Sequence, residues 1–238
     1  MQLNHAQREL TVKVVYYGPG LSGKTTNLQQ IHARTHAEGR SHLLKVETRD
    51  DRTLFFDMLP VFFQTRTGFK VKVKLFTVPG QVMHNATRRV VLQSADGVAF
   101  IADSRRGAAG ENNSYWRDLL ENMRENGLDP ADVPVVIQYN KLDLPDARTS
   151  SELEDLRAKS KEPIVGAVAI RGQGVLETLH SVLQLAYRKM DGRSGLARNM
   201  SLSESDFLRQ IFAQVDCAGT QLASHYPAPV KAAQGVVP

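Results

Sequence analysis

Gly18-Pro-Gly-Leu-Ser-Gly-Lys24-Thr25 joins a glycine-rich turn to an ammonium and a hydroxyl at the spacing G-x-x-x-x-G-K-[ST]. Backbone N–H groups of such a turn converge on one point, and a phosphate chain supplies the matching charge. Lys24 would reach the outer phosphates. The Thr25 hydroxyl would ligate Mg²⁺, which takes oxygen ligands and relies on phosphates to complete its octahedron. Gly18, Gly20, Ser22, Gly23, Lys24, Thr25 and Thr26 are the candidate phosphate-binding residues. The bland alternative is a glycine turn before a helix. The flanks argue against it: LTVKVVYY (10–17) reads as a buried strand and TTNLQQIHAR (25–34) as a helix that opens at once.

A second constellation, Asn140-Lys141-Leu142-Asp143, directly follows an apolar run (VPVVIQY, 133–139). N-K-x-D at the carboxyl end of a parallel strand falls on the ligand side of such sheets. The Asp143 carboxylate can accept from the ring N1–H and the exocyclic amine of guanine. Adenine offers neither donor and would leave the carboxylate desolvated and unpaired. Asn140 would tie this loop to the phosphate loop, and the Lys141 stem would lie along the base. A backbone N–H near Ala169 could meet the guanine O6, although an ordinary strand end reads much the same.

Thr77-Val-Pro-Gly80-Gln81 ends another apolar strand. Gly80 is placed to offer a backbone N–H to a γ-phosphate, and Gln81 to orient an attacking water. Upstream, Thr53 is the candidate to close on Mg²⁺ and the γ-phosphate, with Thr48 as its rival. Arg52 beside it would stabilise transition-state charge in cis. A surface salt bridge to Asp50, Asp51 or Asp57 is the alternative for Arg52.

The elements that must position these residues follow from periodicity. Strands are expected at 10–17, 43–48, 71–78, 97–103, 133–139 and 164–168. Helices are expected at 86–92, 113–125, 150–159 and 175–189. Their alternation predicts an α/β fold with a mostly parallel six-stranded sheet covered by helices on both faces. Residues 191–200 read as a linker. Residues 201–216 read as a C-terminal helix, capped by Ser201 with Glu204 or Ser203 with Asp206, and bearing an apolar stripe (Phe207, Leu208, Ile211, Phe212, Val215). The Ala/Pro/Gly-rich 217–238 reads as a disordered tail.

Composition is ordinary for a globular chain, with 42% hydrophobic and 23% charged residues. No apolar run of about 18 residues suggests a membrane span. The start, Met1-Gln-Leu-Asn-His, suggests no secretory leader. A single cysteine, Cys217, allows no internal disulfide and fits a reducing, cytoplasmic setting. Net charge is +5, concentrated in the first half, which fits a polyphosphate ligand or an acidic partner. Nucleic acid is disfavoured: the basic run Gly-Phe-Lys-Val-Lys-Val-Lys (68–74) alternates as a half-exposed strand does.

Taken together, V-V-Y-Y-G-P-G-L-S-G-K-T-T-N-L, D-R-T-L-F-F-D-M-L-P, T-V-P-G-Q and V-I-Q-Y-N-K-L-D-L-P resemble the Ras-like small GTPases, and closely their bacterial MglA-type gliding and polarity branch. The likeness spans about residues 8–190, an expected G domain over 1–190. It implies a GTP/GDP switch with Mg²⁺ and control of cell polarity or motility. It also implies a roadblock-fold activating partner of the MglB type, which repositions the enzyme's own arginine and glutamine. Here those are Arg52 and Gln81. Most small GTPases carry Asp where this chain has Thr77; the MglA branch shares the Thr. The uncharged Thr77 adds the expectation of weaker Mg²⁺ binding or slow intrinsic hydrolysis. Two other readings compete: a nucleotide-bound scaffold that never cycles, and a P-loop ATPase or kinase, which N-K-x-D disfavours.

Overall fold

The computed structural model describes residues 2–4, 6–36, 44–45, 57–64, 68–80 and 85–226. In chain order these form β1 (Gln2–Asn4), β2 (Glu9–Tyr17), α1 (Lys24–Arg34), β3 (Leu44–Lys45), β4 (Asp57–Gln64), β5 (Lys70–Thr77) and α2 (Asn85–Leu92). There follow β6 (Gly97–Asp103), α3 (Ala109–Glu125), β7 (Val135–Asn140), α4 (Ser150–Lys159), β8 (Ile164–Gly166), α5 (Val175–Ser194), α6 (Leu196–Met200) and α7 (Glu204–Phe212).

Among the described residues the sheet has eight strands, in the order β3-β4-β5-β2-β6-β7-β8, with β1 paired to β2. Strands β5, β2, β6, β7 and β8 run parallel. The α/β class and mostly parallel sheet are those expected; β1 and the antiparallel β4 are additional. Pro60 hid β4, because a proline argues against a strand interior. Among the described residues β3 meets β4 at Asp57 and Met58, and β5 pairs along β4 from Met58 to Gln64, Pro60 opposite Lys74. The strand expected at 43–48 is represented by β3; its flanks lie outside the described residues.

Central β6 (GVAFIAD) is buried at every position, as a strand covered on both faces must be. One core packs α1 and α5 on the sheet through Leu28, Ile31, Leu179, Val182 and Leu183. The other packs α2 and α3 through Val91, Leu92, Leu119 and Met123.

The chain beyond residue 190 departs from expectation. Asp191–Ser194 form the last turn of α5, which tolerates Gly192 and stops at Gly195 in the left-handed region (φ 61°). Residues 196–200 form α6 rather than a linker. The next helix is shorter than 201–216 and begins after Ser203, whose Oγ accepts from the Asp206 amide at 3.1 Å. Its stripe packs into the α1/α5 core with Leu196, Met200 and Leu202. Residues 217–226 are turns, not a free tail: Cys217 and Leu222 are buried in the same core and Tyr226 stacks on Phe212. Burial pushes the Cys217 thiol up to about 11, an inert structural group. Residues 227–238, expected as disordered, lie outside the described residues.

Candidate nucleotide site

The phosphate loop links the buried end of β2 to the first turn of α1, the arrangement its sequence requires. Lys24 is buried, and its Nζ donates to the carbonyls of Gly18 (2.8 Å) and Pro19 (2.5 Å). Burial first, then the Arg88 charge, pull its ammonium down to about 7 against the pull of Glu111. Phosphate charge at the loop would favour the protonated form. Thr25 and Thr26 are half-buried in the opening turn of α1.

Asn140 ends β7 and acts as a clasp. Its Nδ2 donates to the Ser22 carbonyl, and its Oδ1 accepts from the Ala169 amide, both at 2.8 Å. Gly23 is required by this contact: it has φ 103°, and a Cβ there would stand 2.2 Å from Asn140 Nδ2. Three loops distant in sequence are thereby drawn around one cavity of about 240 Å³, lined by Gly23, Thr26, Asn140, Lys141, Asp143 and Ala169, with Leu21, Leu144 and Ile170. Among the described residues the nearest cation to the Asp143 carboxylate is Arg171, at 4.0 Å, which leaves it acceptor capacity for a ligand.

Two of these candidate residues are already engaged within the chain. The Ala169 N–H is committed to Asn140, so contact with a guanine O6 would require that bond to be exchanged. Lys141 Nζ donates to Asp103 Oδ2 at 2.7 Å, at the end of β6. Arg105 also donates to the Asp103 carboxylate, at 2.8 Å. Burial alone would raise the Asp103 carboxyl; the Arg105 and Lys141 hydrogen bonds outweigh it and hold it at about 2. A depressed carboxyl stabilises the fold above its unfolded value, near 4, and that stability is lost as pH falls towards 2. The expected contribution is about 2 kcal/mol. Denaturant titrations of wild type and Asp103→Asn should therefore differ at pH 7 and converge near pH 2; parallel curves would contradict the assignment.

Gly80 is brought against the phosphate loop. A Cβ on it would stand 2.5 Å from Gly20 Cα and 3.0 Å from Lys24 Nζ, so these two glycines permit a backbone-on-backbone approach. The Tyr115 hydroxyl donates to the Gly80 carbonyl at 2.8 Å. Behind it, buried Arg88 lies over the Tyr115 ring and donates bidentately to Asp118, which also accepts from Tyr17. Asn122 donates to Tyr17 and to Asn85 at the start of α2. Sequence reading missed Asp103, Tyr115 and Arg88. Only Asp103 left a local signal, a carboxylate closing a fully apolar strand on the ligand side.

The structure thus brings together Gly18, Gly20, Ser22, Gly23, Lys24, Thr25, Thr26, Gly80, Asn140, Lys141, Asp143 and Ala169. Gln81, Arg52 and Thr53, with its rival Thr48, lie outside the described residues.

No protein-family model matches the chain. Among curated proteins, the mutual gliding-motility protein MglA of Myxococcus xanthus is 44% identical over 188 residues, covering 79% of this chain and 96% of that protein. ADP-ribosylation factor-like protein 6 of Caenorhabditis elegans is 24% identical over 190 residues, covering 76% of this chain and 90% of that protein. With the phosphate loop, the Asn140 clasp and the Asp143 cavity in one α/β fold, this likeness places the chain in the MglA family of small GTPases.

Proposed function

We propose that this GTPase is a polarity or gliding-motility switch: it binds GTP with Mg²⁺, hydrolyses it slowly alone, and is inactivated by a roadblock-fold partner of the MglB type. The observation that carries the guanine-nucleotide part is the Asn140 clasp, which sets Asp143 and the phosphate loop around one cavity. The family supports the motility part, since the Myxococcus relative is by name a gliding-motility protein.

Each residue has a task in this reading. Lys24 and the loop amides bind the phosphates, and Asp143 selects the base. The donor set suits Mg²⁺: Thr25 and Thr53 bring neutral hydroxyl oxygens. Among the described residues no group of three or more His, Cys, Asp or Glu could hold a metal. Mg²⁺ keeps waters and takes phosphate oxygens readily, and these would complete the shell. Bound there, the ion would neutralise phosphate charge. Gln81 orients the attacking water, and Arg52 offsets charge on the transferring group. Contacts of Thr53 and Gln81 with the γ-phosphate would be made with GTP and lost with GDP, which distinguishes the two states at the effector surface. Among the described residues no helix is long and apolar enough to cross a membrane; a cytoplasmic site of action is part of the proposal.

The test is calorimetric titration of nucleotide-free protein with GTP, GDP and ATP, followed by phosphate release with and without an MglB-type partner. Guanine-only binding with partner-stimulated release is expected. Gln81→Leu should keep GTP affinity and lose hydrolysis; a fall in affinity would refute its role. Arg52→Ala should lose about 10³-fold of the stimulated rate, the low end for an arginine acting on phosphoryl transfer. Undiminished stimulation would return Arg52 to the surface. The non-cycling scaffold is favoured by one observation, buried Thr77 where most small GTPases have an acid. It predicts guanine binding with no release under any condition.

A further inference from the structure

Leu21 carries two unfavourable features at once. It sits at φ 59°, the left-handed region in which a leucine is strained and a glycine is not. Its side chain is also 91% exposed, so packing within the chain does not offset the strain. Backbone strain of this kind clusters at ligand-binding segments, where it can aim loop amides at an anion; the exposed side chain needs a separate account.

Its neighbours supply that account. Among the described residues the exposed large apolar side chains are Leu21, Val90, Leu144 and Ile170. All but Val90 line the cavity that contains Asp143. Each is one residue from an anchored group. Leu21 precedes Ser22, whose carbonyl accepts from Asn140. Ile170 follows Ala169, whose amide donates to Asn140. Leu144 follows Asp143, and its own amide donates to the Lys141 carbonyl at 3.2 Å. The clasp that assembles the polar part of the cavity therefore also sets an apolar rim around it.

A nucleoside has the matching shape. Its polar base edge suits Asp143, while the faces of the base and the ribose carbons are apolar and gain from leaving water. We propose that Leu21, seconded by Ile170 and Leu144, is an apolar cover over the bound nucleoside and sets how long the nucleotide stays. This rests on the guanine-nucleotide reading above. The left-handed backbone is what turns the side chain out of the loop, leaving the loop amides to the phosphates.

The experiment is release of N-methylanthraniloyl-GDP and N-methylanthraniloyl-ADP from the full chain, in wild type, Leu21→Gly and Leu21→Ala. Glycine removes the cover and relieves the backbone; alanine removes the cover and keeps the strain. Both variants should release the GDP probe about tenfold faster than wild type, the effect of losing part of one leucine's burial. Leu21→Met, which keeps an apolar body, should stay within about threefold of wild type. A guanine-selective wild type with both small variants releasing at its own rate would overturn the Leu21 assignment alone. Acceleration by glycine but not alanine would also overturn it, by assigning the effect to the backbone. A wild type that releases both probes at the same rate would overturn the guanine reading beneath it.

Discussion

Asp143→Asn is expected to make the protein prefer xanthosine diphosphate to guanosine diphosphate. The wild-type carboxylate is acceptor-only and would take both hydrogen bonds from the guanine edge. An asparagine offers one acceptor and one N–H₂ donor. Guanine's amine then faces a donor, and two hydrogens compete for a place with no acceptor between them. Xanthine carries a carbonyl where guanine carries the amine, so its edge pairs with the amide. Each buried polar group left unmade costs about 1–3 kcal/mol, more where the lost partner was charged. The expected loss of guanine affinity is therefore on the order of 10³-fold or more, in line with sites built to pair a donor. The side chain is available for this role, since the Arg171 guanidinium comes no nearer than 4.0 Å. Calorimetry with GDP, XDP and ADP checks it. Unchanged GDP affinity would mean the base is read elsewhere.

Ending the chain at Gly195 is expected to leave no stable fold. The lost segment supplies Leu196, Met200, Leu202, Phe207, Leu208, Ile211, Phe212, Val215 and Leu222 to the α1/α5 core. Fully burying such a side chain is worth about 1.5–3 kcal/mol, so even a few of them rival the 5–15 kcal/mol by which a domain is stable. Ordering the segment offsets part of that gain. Its removal nevertheless also uncovers the face of α5 that carries Leu183, Tyr187 and Met190, a patch prone to aggregation. Polar ties are lost as well: Arg188 to Glu204 at 2.8 Å, and Tyr187 to the Leu202 carbonyl. Phe207→Ala, which keeps the chain length, should cost about 3–5 kcal/mol. Thermal melts of both variants decide the matter. A truncated protein melting with the full chain would show that these side chains add nothing to stability.

The two nucleotide motifs were legible because each is contiguous and each follows a strand that the apolar pattern announces. The motif spacing alone puts Lys24, Asn140 and Asp143 on one side of a sheet. The commitment of the Ala169 amide to Asn140 was not legible, since it depends on a partner 29 residues away. Neither were Tyr115 and Arg88, whose spacing on α3 and α2 reads as ordinary helix surface and whose roles come from packing across the α2–α3 seam. The stripe on α7 announced burial without an address. Gly192 and Gly195 together suggested a break; the structure uses only the second, because one interior glycine costs a long, well-packed helix only about 1 kcal/mol. The MglA-like motifs stop before residue 190, so nothing in them could describe α6, α7 or the turns beyond.

Those turns have one more consequence. The His36 amide donates to the Gln214 carbonyl, the Asp216 amide donates to the Arg34 carbonyl, and Thr35 bridges Val215. Two stretches from opposite ends of the sequence thus share a short antiparallel ladder, and neither amide can exchange its hydrogen with solvent unless both stretches part. In hydrogen-exchange terms they form a single opening unit: the protection of His36, where the path out of α1 towards Arg52 and Thr53 begins, is set by how firmly the far end of the chain is held.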